Sequence, residues 1–375
     1  MDGSGEAPSA NPPPAGRVVG SSPVRLWGMG SDERLRRTFV RAGLSPEPGG
    51  GLLTASAEWV FDESLIKALA KRPGVVLIAP GGEPVAAHTV ADGDRATEAI
   101  AAGDAARLPE GLTRLEAGEL VPAYNAALRK RESPLLRRLT PQTLREIEQR
   151  MFAGSYKGVT DLVTKYVWPT PALHVTRWCA AAGMTPNQVT FASFLLVLAA
   201  FYLFWTGQFG WGLVAAWAMT FLDTVDGKLA RVTLTSSKIG NAFDHGIDLV
   251  HPPFWWWAWI VGLQAGPTPL VSPAPVLAIV VGGYILQRMQ EGLFIGRFKI
   301  EIHIWRRFDS LFRLVTTRRN PNLIMLTLAC LAGRPDLGML AVAAWTVASI
   351  AVHGVRIAQA FWAARGLPLT SWMAG

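Results

Sequence analysis

The chain has 375 residues, half of them hydrophobic, with 15 Trp and a formal net charge of +8. The basic residues form no amphipathic face and no nucleic-acid-binding motif is present, which argues against a nucleic-acid partner. Cys179 and Cys330 lack metal-ligand spacing and read as inert thiols.

Residues 1–23, "MDGSGEAPSANPPPAGRVVGSSP", are rich in Pro, Gly and Ser, have no apolar signal-peptide core and predict a disordered tail. Residues 24–135 predict a small cytoplasmic α/β domain. "ERLRRTFVRAGL" has helical spacing and ends in Gly43. "AEWVFD" (57–62) and "GVVLIAP" (74–80) read as strands on either side of the helical "ESLIKALAKRPG", and "EPVAAHTV" as a further strand. This alternation predicts a parallel, doubly wound sheet. Residues 136–177 read as a linker and an interfacial segment. "LTPQTLREIEQRMFAGSYKG" is polar and helical, and "VTDLVTKYVWPTPALHVTRWCAAAGM" is too charged to span a bilayer.

Residues 178–222 contain no charged side chain. That run is too long for one membrane span of ~20 residues and fits two, joined at "TGQFGWG" (206–212). Further spans are expected near 244–262, 276–292, 320–333 and 337–356. The fold class is therefore a six-helix integral membrane domain over 178–366, preceded by the α/β domain. The loop after the second span carries Lys228, Arg231 and Lys238, and residues 288–319 are dense in Arg, while the alternate loops are nearly neutral. By the positive-inside rule, both termini and the second loop face the cytoplasm.

Four aspartates cluster at that loop. Asp223, Asp226, Gly227 and Ala230 fall at i, i+3, i+4 and i+7 of one helix, and Gly240, Asp244 and Asp248 at i, i+4 and i+8 of the next. Two such stripes facing each other bring the carboxylates together at the cytoplasmic membrane surface. Converging anions need countercharge, which Mg²⁺ or Mn²⁺ supplies while keeping positions open for phosphate. Two such ions per site would clamp a diphosphate. Arg231, one position off the stripe, suits a phosphate. "HPPFWWWAWI" (251–260) reads as packed or lipid-facing tryptophans in a Pro-kinked span, with His251 one turn past Asp248.

The string D223-x-x-D226-G227-x-x-A230-R231, eight residues, G240-x-x-x-D244-x-x-x-D248 resembles, without departure, the signature of the CDP-alcohol phosphotransferases. "TPNQVT" (185–190) is similar to a Pro-Asn-x-x-Thr element of the same family. The resemblance covers about 156–366. It implies metal ligation by Asp223, Asp226 and Asp244, with Asp248 as a further ligand and the general base. It also implies a CDP pocket shaped by Gly227, Ala230, Arg231 and Gly240, with Asn187 and Thr190 at its rim. The expected reaction is attack of an acceptor hydroxyl on the β-phosphorus of a CDP-alcohol, with release of CMP, in phospholipid or inositol-phosphate synthesis. Partners implied are the donor and acceptor alcohols, membrane lipid and a second copy as a homodimer. Arg313, Arg318 and Arg319 are the candidates for the phosphate of a phosphorylated acceptor such as inositol phosphate or glycerol phosphate.

"VRLWGMGSDERLRRTFVRAGL" resembles the segment that follows the phosphate loop of sugar-nucleotidyltransferase domains, as in fusions similar to inositol-phosphate cytidylyltransferase/di-inositol-phosphate-phosphate synthases. Only "PPPAGRVVGSSP" precedes it, without a Gly-rich basic loop, so the domain is expected to be degenerate and non-catalytic. Two other classes fit less of the sequence. An inactive scaffold of the same fold has no use for an intact signature, and an ion-coupled transporter would carry its carboxylates at mid-membrane rather than at helix ends.

Overall fold

The computed structural model describes residues 14–44, 51–125, 128–236, 238–365 and 368–374, with the backbone alone at 238, 239, 241 and 244. The chain divides into two compact units. One comprises Met1–Asn125, Arg131–Ser155 and Val232–Leu234; the other comprises Ala126–Lys130, Tyr156–Arg231 and Thr235–Gly375.

The first unit is α/β. Its five-stranded sheet has the order β1-β2-β5-β4-β6, built from β1 (Ala15–Val19), β2 (Leu52–Ser56), β4 (Val75–Ile78), β5 (Pro84–Thr89) and β6 (Thr113–Leu115). β3 (Trp59–Phe61) pairs separately with Leu136–Arg138. Helix α1 (Ser31–Ala42) ends at Gly43, whose φ of 78° is a left-handed cap that glycine adopts without strain. α2 (Glu63–Ala70) begins where Asp62 accepts from the Ser64 amide over 3.0 Å. α3 (Gly93–Ala102), α4 (Ala117–Leu120) and α5 (Leu144–Gly154) complete the unit. Leu35, Phe39, Leu53, Leu65, Leu69, Leu77 and Val85 fill its core.

Two expectations are corrected here. Residues 15–19, placed in a disordered tail, form β1, because their backbone pairs in parallel with β2 from Ala15↔Leu52 to Val19↔Ser56. The sheet is mixed rather than parallel and doubly wound. β1/β2 and β4/β6 run parallel, but β5 lies antiparallel between β2 and β4. The turn at Gly81-Gly82, with Gly82 at φ 87°, returns the chain directly and leaves no crossover helix between β4 and β5.

The second unit is helical. A π-turn (Val163–Val167) leads into α6 (Pro169–Ala181). α7 (Pro186–Trp205) opens with a reciprocal cap: Thr185 Oγ1 accepts from the Gln188 amide and Gln188 Oε1 from the Thr185 amide. α8 (Phe209–Val232) and α9 (Lys238–Gln264) follow. α10 (Pro273–Leu277) runs through a π-turn into α11 (Gly283–Phe298), and α12 (Arg307–Phe312), α13 (Arg319–Leu331) and α14 (Pro335–Ala363) close the chain. The uncharged run expected to begin a span at Trp178 is divided. Trp178 belongs to α6, and the apolar helix starts at Pro186.

Among the described residues, α7 and α14 are long and apolar enough to cross a membrane. α7 packs on α9, where Gly262 lets the chains touch: a Cβ there would lie 2.0 Å from the Phe204 carbonyl oxygen. α9 runs continuously through Pro252 and Pro253. Trp255, Trp256 and Trp259 are fully buried beyond them, with the Trp255 indole donating to the Val197 carbonyl at 3.0 Å. These rings are packing residues, as the sequence suggests.

Candidate active site

The acidic motif occupies the C-terminal part of α8 and the N-terminal part of α9. α8 is unbroken through Asp223, Asp226, Gly227, Ala230 and Arg231, so the 3.6-residue period places the first four on one stripe. Asp226 is 3 % exposed, and Thr190 of α7 donates its hydroxyl to Asp226 Oδ2 over 2.6 Å. Thr190, expected at a nucleotide rim, thus orients a motif carboxylate. Asn187, one turn earlier, is exposed. A Cβ at Gly227 would meet nothing closer than the Arg231 guanidinium at 3.8 Å, so this part of the stripe is open. Gly240 lies in the first turn of α9. The side chain of Asp244 falls outside the described residues.

Asp223 and Asp248 are joined by one residue. Arg319, at the start of α13, donates to Asp223 Oδ2 at 2.6 Å and to Asp248 Oδ1 at 2.5 Å. The guanidinium offsets the repulsion of two carboxylates from different helices. Arg319, expected at an acceptor phosphate, is therefore part of the acidic site. Among the described residues no three His, Cys, Asp or Glu side chains converge as a metal cluster. The donors present are nonetheless carboxylate oxygens, with Asp223 and Asp248 close enough to share a single cation. That chemistry fits a hard divalent ion.

Asp248 also lines a cavity of about 480 Å³. Its walls carry the cations Arg129, Lys157, Arg288, Arg313, Arg318 and Arg319 and the carboxylates Asp161, Asp248, Glu291 and Glu301. Three of these cations are the predicted acceptor residues, which the fold brings to one chamber with Asp248. Arg313 Nη1 is buried with no hydrogen-bond partner among the described residues. Burial and the neighbouring Arg318 push its pKa down, against Asp161 and Glu291, as expected for a cation short of anionic partners. Asp161, 8 % exposed, accepts from the Thr164 amide and the Asn320 side chain, each at 3.0 Å. Burial alone would raise its pKa, but Arg313 and these two donors hold it below the usual carboxylate value.

Several cavity residues escape the sequence reading. Arg288 and Glu291 sit at i, i+3 on α11 at the end of an apolar run, a placement that by itself marks a functional candidate. Asp161 lies in the segment read only as interfacial. His245, next to Asp244 in the chain, also lines the cavity. His251 bonds through Nδ1 to the Ile247 carbonyl at 2.7 Å and packs edge-on against Trp255, so it is held away from the acceptor side.

Residues 183–305 match the family model of the CDP-alcohol phosphatidyltransferases. Over this segment the chain is similar to the CDP-alcohol phosphatidyltransferases. The chain is 40% identical over 79 residues to an archaetidylinositol phosphate synthase of Pyrococcus horikoshii, covering 21% of this chain and 42% of that protein. It is 36% identical over 83 residues to a phosphatidylinositol phosphate synthase of Mycobacteroides abscessus, covering 20% and 38%. A bifunctional IPC transferase and DIPP synthase of Rubrobacter xylanophilus is 26% identical over 206 residues, covering 55% and 44%. In each case the match takes in less than half of the relative's length.

Proposed function

We propose that the protein transfers the phosphoalcohol group of a CDP-alcohol to the hydroxyl of a phosphorylated acceptor and releases CMP. The observation that carries this reading is the position of Asp248. It shares Arg319 with Asp223 of the signature and at the same time faces the Arg-lined cavity. Donor diphosphate and acceptor hydroxyl meet at that carboxylate.

Asp223, Asp226, Asp244 and Asp248 would hold Mg²⁺ or Mn²⁺, two ions per site. When bound, these ions supply charge compensation to the diphosphate. The rest falls to the chain. Gly227 and Ala230 leave room along α8 for the nucleotide, Gly240 does the same on α9, and Arg231 at the edge offers a guanidinium to phosphate. Asp248 takes the proton of the acceptor hydroxyl as its oxygen bonds to the β-phosphorus. The bond from that phosphorus to the bridging oxygen breaks, and the oxygen leaves with CMP. Arg313 and Arg318 hold the acceptor's own phosphate, which fixes the hydroxyl's approach.

The Pyrococcus and Mycobacteroides relatives are named for inositol phosphate products, which favours a sugar-like phosphomonoester as acceptor. The domain is a six-span membrane unit with both termini and the acidic site on the cytoplasmic side, working as a homodimer, and the first unit is a non-catalytic nucleotidyltransferase relative. The test incubates the purified full-length protein and Mg²⁺ or Mn²⁺ with radiolabelled CDP-diacylglycerol and CDP-inositol against phosphorylated and unphosphorylated acceptors. A labelled phosphodiester formed with phosphorylated acceptors supports the reading. No product with any pair rejects it in favour of an inactive scaffold.

A further inference from the structure

Glu291 is an acidic residue in the wall of a cavity that the reading above assigns to an anion. Its role is set by what it touches. Glu291 Oε1 accepts from Arg288 Nη2 at 3.1 Å and from His303 Nε2 at 3.1 Å, and it also contacts Arg318 Nη2. Oε2 pairs with Arg288 Nη1 at 3.1 Å. Glu291 and Arg288 come from α11, His303 from the turn Ile302–Ile304 and Arg318 from the residue preceding α13, so one carboxylate gathers three chain segments. Its side chain is 15 % exposed and that of His303 only 5 %, which makes the arrangement internal rather than a solvated ion pair.

Arg288 and Arg318 would repel each other without it. Held by one carboxylate, both guanidiniums remain in the cavity lining with Arg313. The lining then has six cationic and four carboxylate side chains, an excess of two positive charges that matches a dianionic phosphomonoester. We propose that Glu291 is a positioning residue that fixes Arg288 and Arg318 for the phosphate of the acceptor. This inference rests on the phosphorylated-acceptor reading.

Charge and position pull in opposite directions here, which makes the role testable. Removing the Glu291 charge makes the cavity more positive, so a residue that merely tempers the field would, once neutralised, give tighter anion binding. A positioning residue would give weaker binding. The measurement is inhibition of the full-length protein by inorganic phosphate, competitive with the acceptor, together with KM and kcat for phosphorylated and unphosphorylated acceptors. Glu291→Gln should weaken phosphate inhibition and raise the phosphorylated-acceptor KM about tenfold or more, since hydrogen bonds to charged groups are being lost. kcat and the KM for the CDP-alcohol should stay within about threefold. Glu291→Asp, which keeps the charge but shortens the reach, should fall between Glu291→Gln and the wild type and serves as the second variant if Glu291→Gln folds poorly. Unchanged or tighter phosphate inhibition in both variants, or a loss confined to kcat, overturns the role of Glu291 and leaves the acceptor reading intact. A wild-type protein that ignores inorganic phosphate and treats both acceptor classes alike overturns both.

Discussion

Arg319 donates to Asp248 at 2.5 Å from a side chain that is 15 % exposed, and with its other terminal nitrogen it reaches Asp223. One cation therefore sits between two carboxylates proposed to hold divalent ions. Arg319→Gln should have two opposite effects. Mn²⁺ alone should bind more tightly, because a competing positive charge is gone, while turnover should fall by about 10²–10³-fold, the usual cost of one preorganised charged donor. Electron paramagnetic resonance titration of Mn²⁺ and single-turnover rates read the two separately. Weaker Mn²⁺ binding would make Arg319 a scaffold of the acidic site rather than its internal counterion.

The aspartates should divide their labour. Asp248→Asn should cost about 10²–10⁴-fold in rate as the loss of a general base, yet retain much of the CDP-alcohol affinity. Asp223→Asn and Asp226→Asn should lose both, since charge compensation at the diphosphate goes with them. Nucleotide affinity at saturating Mg²⁺ decides this. Equal loss of affinity in Asp248→Asn and Asp223→Asn would make the two equivalent ligands, and the base would then be sought among the other cavity groups.

Gly227 tests the nucleotide side. A single Cβ finds space there, with Arg231 at 3.8 Å as its nearest neighbour, so Gly227→Ala should fold normally. Gly227→Leu should fill the space reserved for CDP and weaken its binding by about 1–3 kcal/mol, the usual scale of overpacking. Calorimetry with CDP showing equal affinity in the Leu variant would move the pocket elsewhere.

His303 should make the protein acid-sensitive. Burial pushes its imidazole down to about 3, against the opposing hydrogen bond with Glu291. In the unfolded chain the same group titrates near 6.5. Between those values the unfolded state binds a proton that the folded state does not, so stability is full above about pH 6.5 and declines as pH falls towards 3. Melting temperatures in detergent should drop between pH 7 and pH 5. His303→Gln, which keeps a donor for Glu291 but cannot titrate, should flatten that drop, and an identical slope in the variant would reject the assignment.

The acidic site was legible because its information is local. Asp223, Asp226 and Gly227 lie within a turn and a half of one helix, and Asp248 is fixed by the period of the next. Helix periodicity alone therefore places them. Arg319 was named for the acceptor phosphate alone: its charge was visible, but its contact with Asp223 joins residues far apart in the chain. Arg288 was absorbed into the positive-inside count and Glu291 was passed over, although an acid and a base one turn apart in an apolar run already suggested an internal pair. The sheet was misread for a related reason. The strands at 74–80 and 83–90 follow from composition, but β2 was not read, 57–62 gave β3 outside the main sheet, and the direction of β5 depends on a turn at Gly81-Gly82 that sends the chain straight back. β1 was missed because its pairing partner supplies the order that its Gly- and Pro-rich surroundings do not.

The most direct test of the central claim is CMP release by the full-length protein, followed with a CDP-alcohol donor and a phosphorylated acceptor while Mg²⁺ is titrated from a chelated zero. The account predicts CMP and phosphodiester in equal amounts, dependent on both acceptor and cation, and absent from Asp223→Asn at every Mg²⁺ concentration. Turnover that persists without a divalent cation, or release of CDP or CTP in place of CMP, would contradict it.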